Sequence, residues 1–144
     1  MCMMLFIGSD IPLSVKSFNE DAPGFHTEIL NEENRIVIKH FSTKHVLYAG
    51  SSEGCGCGFQ HALIDKDNTW LPVINENKSD ELNNDMTQLH EYVTNLINQG
   101  GNVELYACWA GDYEEVPLSQ LDVHSEELLS RDFFLKERGF YALN

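Results

Sequence analysis

The stretch Ser79–Trp109, SDELNNDMTQLHEYVTNLINQGGNVELYACW, carries both of the periodicities from which a folded core is built. Leu82, Met86, Leu89, Val93, Leu96 and Ile97 recur at helical spacing, so a helix over 79–99 would have one apolar face. Ser79 is placed to cap it, Asp80 and Glu81 complement its dipole, and Gly100 stops it. The pattern then switches to alternation. Val103, Leu105, Ala107 and Trp109 face one way and Glu104, Tyr106 and Cys108 the other, which predicts a strand. A long amphipathic helix beside an apolar strand predicts a single α+β domain over residues 1–144. Its mixed sheet, of about five strands, is expected to pack on that helix and on shorter ones.

Working outward, Met4–Gly8, Phe25–Leu30, His45–Ala49, Phe59–Ile64 and Phe140–Leu143 read as further strands. Glu32–Phe41 is ambiguous. Ile36-Val37-Ile38 favours a strand, while its acidic start and Lys39-His40 at its end favour a short helix, which is the assignment taken. Ser125–Ser130 opens another short helix, and Trp70–Asn77, interrupted by Pro72, reads as irregular.

The net charge of −14 is concentrated, with fourteen acidic residues between Asp65 and Glu127 against Lys66 and Lys78. Such a surface repels nucleic acid and anionic membranes and attracts basic proteins. Charge of this sign also serves plain solubility. No apolar run has the length of a spanning helix, and Met3-Met4-Leu5-Phe6-Ile7 is too short and lacks the basic flank of a signal peptide. A cytoplasmic location follows as the expectation, and with it reduced thiols rather than a disulfide framework.

Gly50-Ser51-Ser52-Glu53-Gly54-Cys55-Gly56-Cys57-Gly58-Phe59 gathers four of the ten glycines and two of the four cysteines. Thiols are soft metal ligands and nucleophiles, and glycines let backbone N–H groups turn toward them. The candidate metal ligands are Cys55 and Cys57, with Cys2, Cys108, His45 and His61 as further donors and zinc as the first metal to consider. Cys2 and Cys108 would lie near one another if their strands were antiparallel neighbours. His26 is a further donor near a strand end. Three readings of the loop stand together: a metal site, reversible thiol chemistry, and a tight turn in which cysteine packs as a small hydrophobe.

Several look-alikes fail on their own terms. Gly50-Ser51-Ser52-Glu53-Gly54 matches a nucleophile elbow, with Asp112 or Asp122 and His124 following in hydrolase order. The elbow needs a helix directly after it, and Cys55-Gly56-Cys57-Gly58 cannot open a good one. Asp65-Lys66-Asp67 and Glu76 mimic the ends of a calcium loop, but Trp70 stands where that loop requires glycine. No Gly-Lys-Ser/Thr phosphate loop occurs.

Met1-Cys2 before a strand, the Gly-Cys-Gly-Cys-Gly-Phe loop, and Ala107-Cys108-Trp109-Ala110-Gly111-Asp112 together resemble a family of small uncharacterised bacterial proteins. The resemblance runs along most of the chain. It implies that Cys2, Cys55, Cys57 and Cys108 all belong to family-like segments, and it brings no activity with it. Two functions follow as expectations. One is a cytoplasmic metal- or thiol-site protein centred on the cysteine loop. The other is a non-enzymatic acidic protein that docks a basic protein partner by charge complementarity, as toxin-neutralising immunity proteins do.

Overall fold

A computed structural model describes residues 2–73 and 83–144. In chain order the strands are β1 (Met3–Ser9), β2 (His26–Glu28), β3 (His45–Gly50), β4 (His61–Ile64), β5 (Trp70–Pro72), β6 (Val103–Trp109), β7 (Ser119–Val123), β8 (Leu135–Lys136) and β9 (Gly139–Leu143). The helix α1 (Asn84–Asn98) stands between β5 and β6, and short 3-10 turns cover Arg35–His40, Gly56–Gly58 and Ser125–Leu129. The α+β class stands, but not the expected single sheet of about five strands. The strands form a six-stranded sheet, ordered β2-β3-β1-β6-β9-β7, and a three-stranded one, ordered β5-β4-β8. Both are mixed, because β7 runs parallel to β9 and β8 parallel to β4 while the other pairs are antiparallel. Sequence patterning misses β7 because most of its residues are exposed, so it shows no buried alternation. It misses β8 because that strand has two residues. Pro72 is tolerated in β5 because β5 is an edge strand, where a missing N–H costs no ladder bond.

Alternation along β1 and β6 divides the core in two. Met3, Leu5, Ile7, Val103, Leu105 and Ala107 face α1, where Met86, Leu89, Val93 and Leu96 meet them. Phe6, Tyr106 and Cys108 point to the opposite face and pack with Leu30, Val37, Tyr48 and Tyr113. Val37 comes from the 3-10 turn Arg35–His40, so the ambiguous segment is a short helical turn that covers the second face. The strand alternative for that segment is not realised.

The helix takes its start from Asn83, whose Oδ1 accepts the backbone N–H groups of Asp85 (2.8 Å) and Met86 (3.2 Å). The expected cap Ser79 and the periodic Leu82 lie outside the described residues. At the other end, the Gly101 N–H donates to the Leu96 carbonyl across Gly100, whose φ of +88° suits glycine.

Topology places the cysteine loop. Because β1 and β3 are antiparallel, with Leu5 opposite Ala49, the beginning of β1 lies beside the end of β3. Cys2 therefore meets the segment that follows Gly50.

Candidate metal centre

The loop leaves β3 through a tight turn. The Gly54 N–H donates to the Ser51 carbonyl (3.0 Å), and the Ser51 N–H donates to the Cys55 carbonyl (2.8 Å). Gly54 sits at φ +84°, a left-handed conformation that disfavours any side chain. The chain then turns back against β1. A Cβ on Gly56 would stand 2.7 Å from the Met3 carbonyl oxygen, so only glycine lets the loop lie so close to that strand.

This approach brings three thiols together. The sulfurs of Cys2, Cys55 and Cys57 lie within 4.8 Å of one another, and each residue is half-buried. The Met3 N–H donates to Cys57 Sγ at 3.3 Å. Tetrahedral or trigonal coordination with metal–sulfur bonds of about 2.3 Å spaces ligand sulfurs by roughly 4 Å, so the cluster is near ligand geometry as it stands. Burial pushes the Cys55 thiol up to about 12; the Cys57 backbone N–H opposes that rise, and the side chains of Cys2 and Cys57 add to it. The same three cysteines and Glu28 reinforce the effect of burial in raising the Tyr48 hydroxyl, which donates to the Gly54 carbonyl at 3.0 Å.

The first turn of α1 clamps the loop. Asp85, buried at the start of the helix, accepts the Ser52 N–H (2.8 Å) on one oxygen and the Ser52 hydroxyl (2.7 Å) on the other. The fully buried Ser51 hydroxyl donates to the Cys55 carbonyl and accepts the Gly58 N–H at 2.9 Å. Asn83 Nδ2 donates to the Gly58 carbonyl at 2.6 Å. Both ends of the cysteine segment are thus tied to one rigid element. Ser51, Ser52, Asn83 and Asp85 escape sequence reasoning as site residues. Ser52 and Asp85 are 33 positions apart, and Asn83 and Gly58 are 25 apart, so these contacts exist only where loop meets helix; Ser51 bonds within the loop itself.

The other candidate ligands are elsewhere. The strands of Cys2 and Cys108 are antiparallel neighbours, as the sequence condition required, with Met4 opposite Cys108. Cys108 is nevertheless fully buried in the second core face, and burial pushes its thiol up to about 12. His45 opens β3 opposite Ser9, at the far end of β1 and roughly 20 Å along it from Cys2. His61 is buried at the start of β4, with Nδ1 bound to the Phe59 carbonyl at 2.8 Å. His26 pairs with Gly50 at the root of the loop, but its Nδ1 is bound to the Gly24 carbonyl at 3.1 Å. Among the described residues no other group of three or more cysteine, histidine or carboxylate side chains is close enough to hold one ion.

The look-alikes are resolved by contact. The Ser52 hydroxyl is held by Asp85, while the His124 ring accepts the Glu126 N–H as a cap of the turn Ser125–Leu129. Asp65 Oδ1 accepts the N–H groups of Asp67 and Thr69, both at 2.9 Å, and so shapes the β4–β5 turn. Glu76 lies outside the described residues.

Compared with known protein families, curated proteins and solved structures, the chain matches none. No helix among the described residues is long and apolar enough to cross a membrane.

Proposed function

We propose that this protein binds a thiophilic metal ion through the thiolates of Cys2, Cys55 and Cys57. The observation that carries this reading is the convergence of three sulfurs within 4.8 Å, from segments more than fifty positions apart, in a loop tied to β1 and α1. Soft sulfur donors favour zinc, copper(I) and similar ions, and the metals of the hard-oxygen class are disfavoured. Three protein ligands leave one coordination position for water or an exchanging partner ligand, as in sites that do more than brace a fold.

At Cys55 itself, the environment favours metal capture over nucleophilic thiol chemistry. A thiol pushed up to about 12 stays protonated at neutral pH and is a poor nucleophile, whereas a bound cation displaces the proton directly. The test is elemental analysis of protein purified anaerobically without added metal, with a free-thiol count. One ion per chain with three masked thiols supports the site. No metal and four reactive thiols after unfolding, with none bound on adding zinc or copper(I), would sink it.

A second reading is that the acidic surface docks a basic protein. It is favoured by a cavity of about 290 Å³ whose lining includes Glu33, Asp112, Glu114 and Glu115. Of these, only Glu115 has an ion-pair partner among the described residues, Arg138 at 3.5 Å. Such docking weakens steeply with added salt, and a partner retained unchanged at high salt argues against it.

A further inference from the structure

Charge balance narrows the ion that suits the three-cysteine site. This inference rests on the reading of Cys2, Cys55 and Cys57 as a metal centre. Among the described residues, no histidine or carboxylate joins their sulfurs at ligand distance. The chain as a whole carries a net charge of −14.

Three thiolates around a monovalent ion leave two negative charges at the site, and around a divalent ion they leave one. A trivalent ion leaves none. Holding uncompensated charge in a half-buried site is unfavourable, and the field of an acidic protein adds to it. Against this stands the backbone N–H of Met3, which donates to Cys57 Sγ and relieves only part of the charge on three sulfurs. Geometry agrees with charge. A trivalent main-group ion with a lone pair is three-coordinate and pyramidal, so its lone pair fills the direction for which the described residues supply no fourth ligand.

We propose that Cys2, Cys55 and Cys57 form a three-thiolate site for a trivalent, lone-pair-bearing thiophilic ion, with arsenic(III) as its representative. Binding from arsenous acid is a balanced exchange without redox change. Three S–H bonds and three As–O bonds break, three As–S bonds form, and the protons leave with the hydroxides as three waters. The product is neutral at the metal centre.

The test uses the reduced, full-length protein with arsenite as probe and zinc or copper(I) as competitor, read by native mass spectrometry, thiol counting and X-ray absorption at arsenic. The expected result is one arsenic per chain with three sulfur neighbours and no oxygen. Three of the four free thiols are then masked, and arsenic is retained against an equal concentration of either competitor. Cys2→Ser loses the third As–S neighbour and gains an As–O one. Displacement of arsenic by zinc or copper(I), or a two-sulfur site in the unmodified protein, overturns the inference while leaving the metal-site reading intact. If none of the three ions binds, both fall. The competition on the unmodified chain decides the matter whether or not the serine variant folds.

Discussion

Gly58→Ala tests whether the cysteine loop is clamped as described. The added methyl carbon would stand 2.5 Å from Ser51 Oγ, 2.7 Å from Ser51 Cβ and 2.7 Å from Asp85 Oδ2. Comfortable separations are about 3.5–4.0 Å, so these groups would have to retreat by roughly 1 Å. Neither has room, because Ser51 is fully buried and Asp85 nearly so. Retreat breaks the bond from the Gly58 N–H to Ser51 and strains the pair that Asp85 forms with Ser52. Overpacking costs about 1–3 kcal/mol, and a hydrogen bond to a charged group contributes about 1.5–3 kcal/mol. Alanine also lowers the entropy of the unfolded chain, a gain of about 0.4–1 kcal/mol. The net expectation is a loss of about 3 kcal/mol, read as a lower midpoint in urea unfolding of the metal-free protein. Gly54→Ala is the matched comparison, because nothing lies within 4 Å of its added carbon and only the φ of +84° opposes it. That strain is about 1–2 kcal/mol. A Gly58→Ala protein as stable as the parent, or one less affected than Gly54→Ala, would refute the clamp.

Asn83→Ala should destabilise by about 1 kcal/mol through loss of the helix cap, and by more if its bond to the Gly58 carbonyl is also needed, again by urea unfolding. Cys108 should resist thiol reagents in the folded protein and react once it is unfolded, since it is fully buried and its thiol is raised to about 12. Alkaline pH should destabilise the fold. Burial raises Cys108 from 9.0 and Tyr141 from 10.0 to about 12, and raises Tyr48 and Tyr106 as well. Each therefore favours the folded state fully below its unfolded value and loses that preference as pH climbs toward 12; a thermal midpoint unchanged between pH 9 and 12 would contradict this. Zinc affinity should rise with pH, about tenfold per unit for each proton displaced, with Cys55 still contributing above neutrality. Isothermal titrations at several pH values give that slope directly.

The elements whose residues report their own surroundings were legible in the chain. Val103–Trp109 alternates between two buried faces, and its strand emerged with the expected bounds and the expected sides. Met86, Leu89, Val93 and Leu96 recur as a buried stripe, so α1 was legible through its interior. The exposed edge strand β7 and the two-residue β8 were not, because their pairing is supplied by β9 and β4 rather than by any pattern of their own. The expected single sheet became two because β4 pairs with β5 and β8 rather than with the main sheet.

By itself, the amino-acid order determined the α+β class, the acidic surface, and the importance of a glycine-spaced loop bearing Cys55 and Cys57. Those follow from composition and local periodicity. Tertiary structure alone decided which thiols meet. The antiparallel pairing of β1 with β3 sets Cys2 beside that loop, while strand alternation sends Cys108 into the second core face. It likewise recruited Asp85 and Asn83 from the start of α1 to hold the loop. The physical reason is the range of the interactions. Periodicity is encoded over a few residues, whereas strand register and helix docking join segments dozens of residues apart, and their distances exist only after the core has closed.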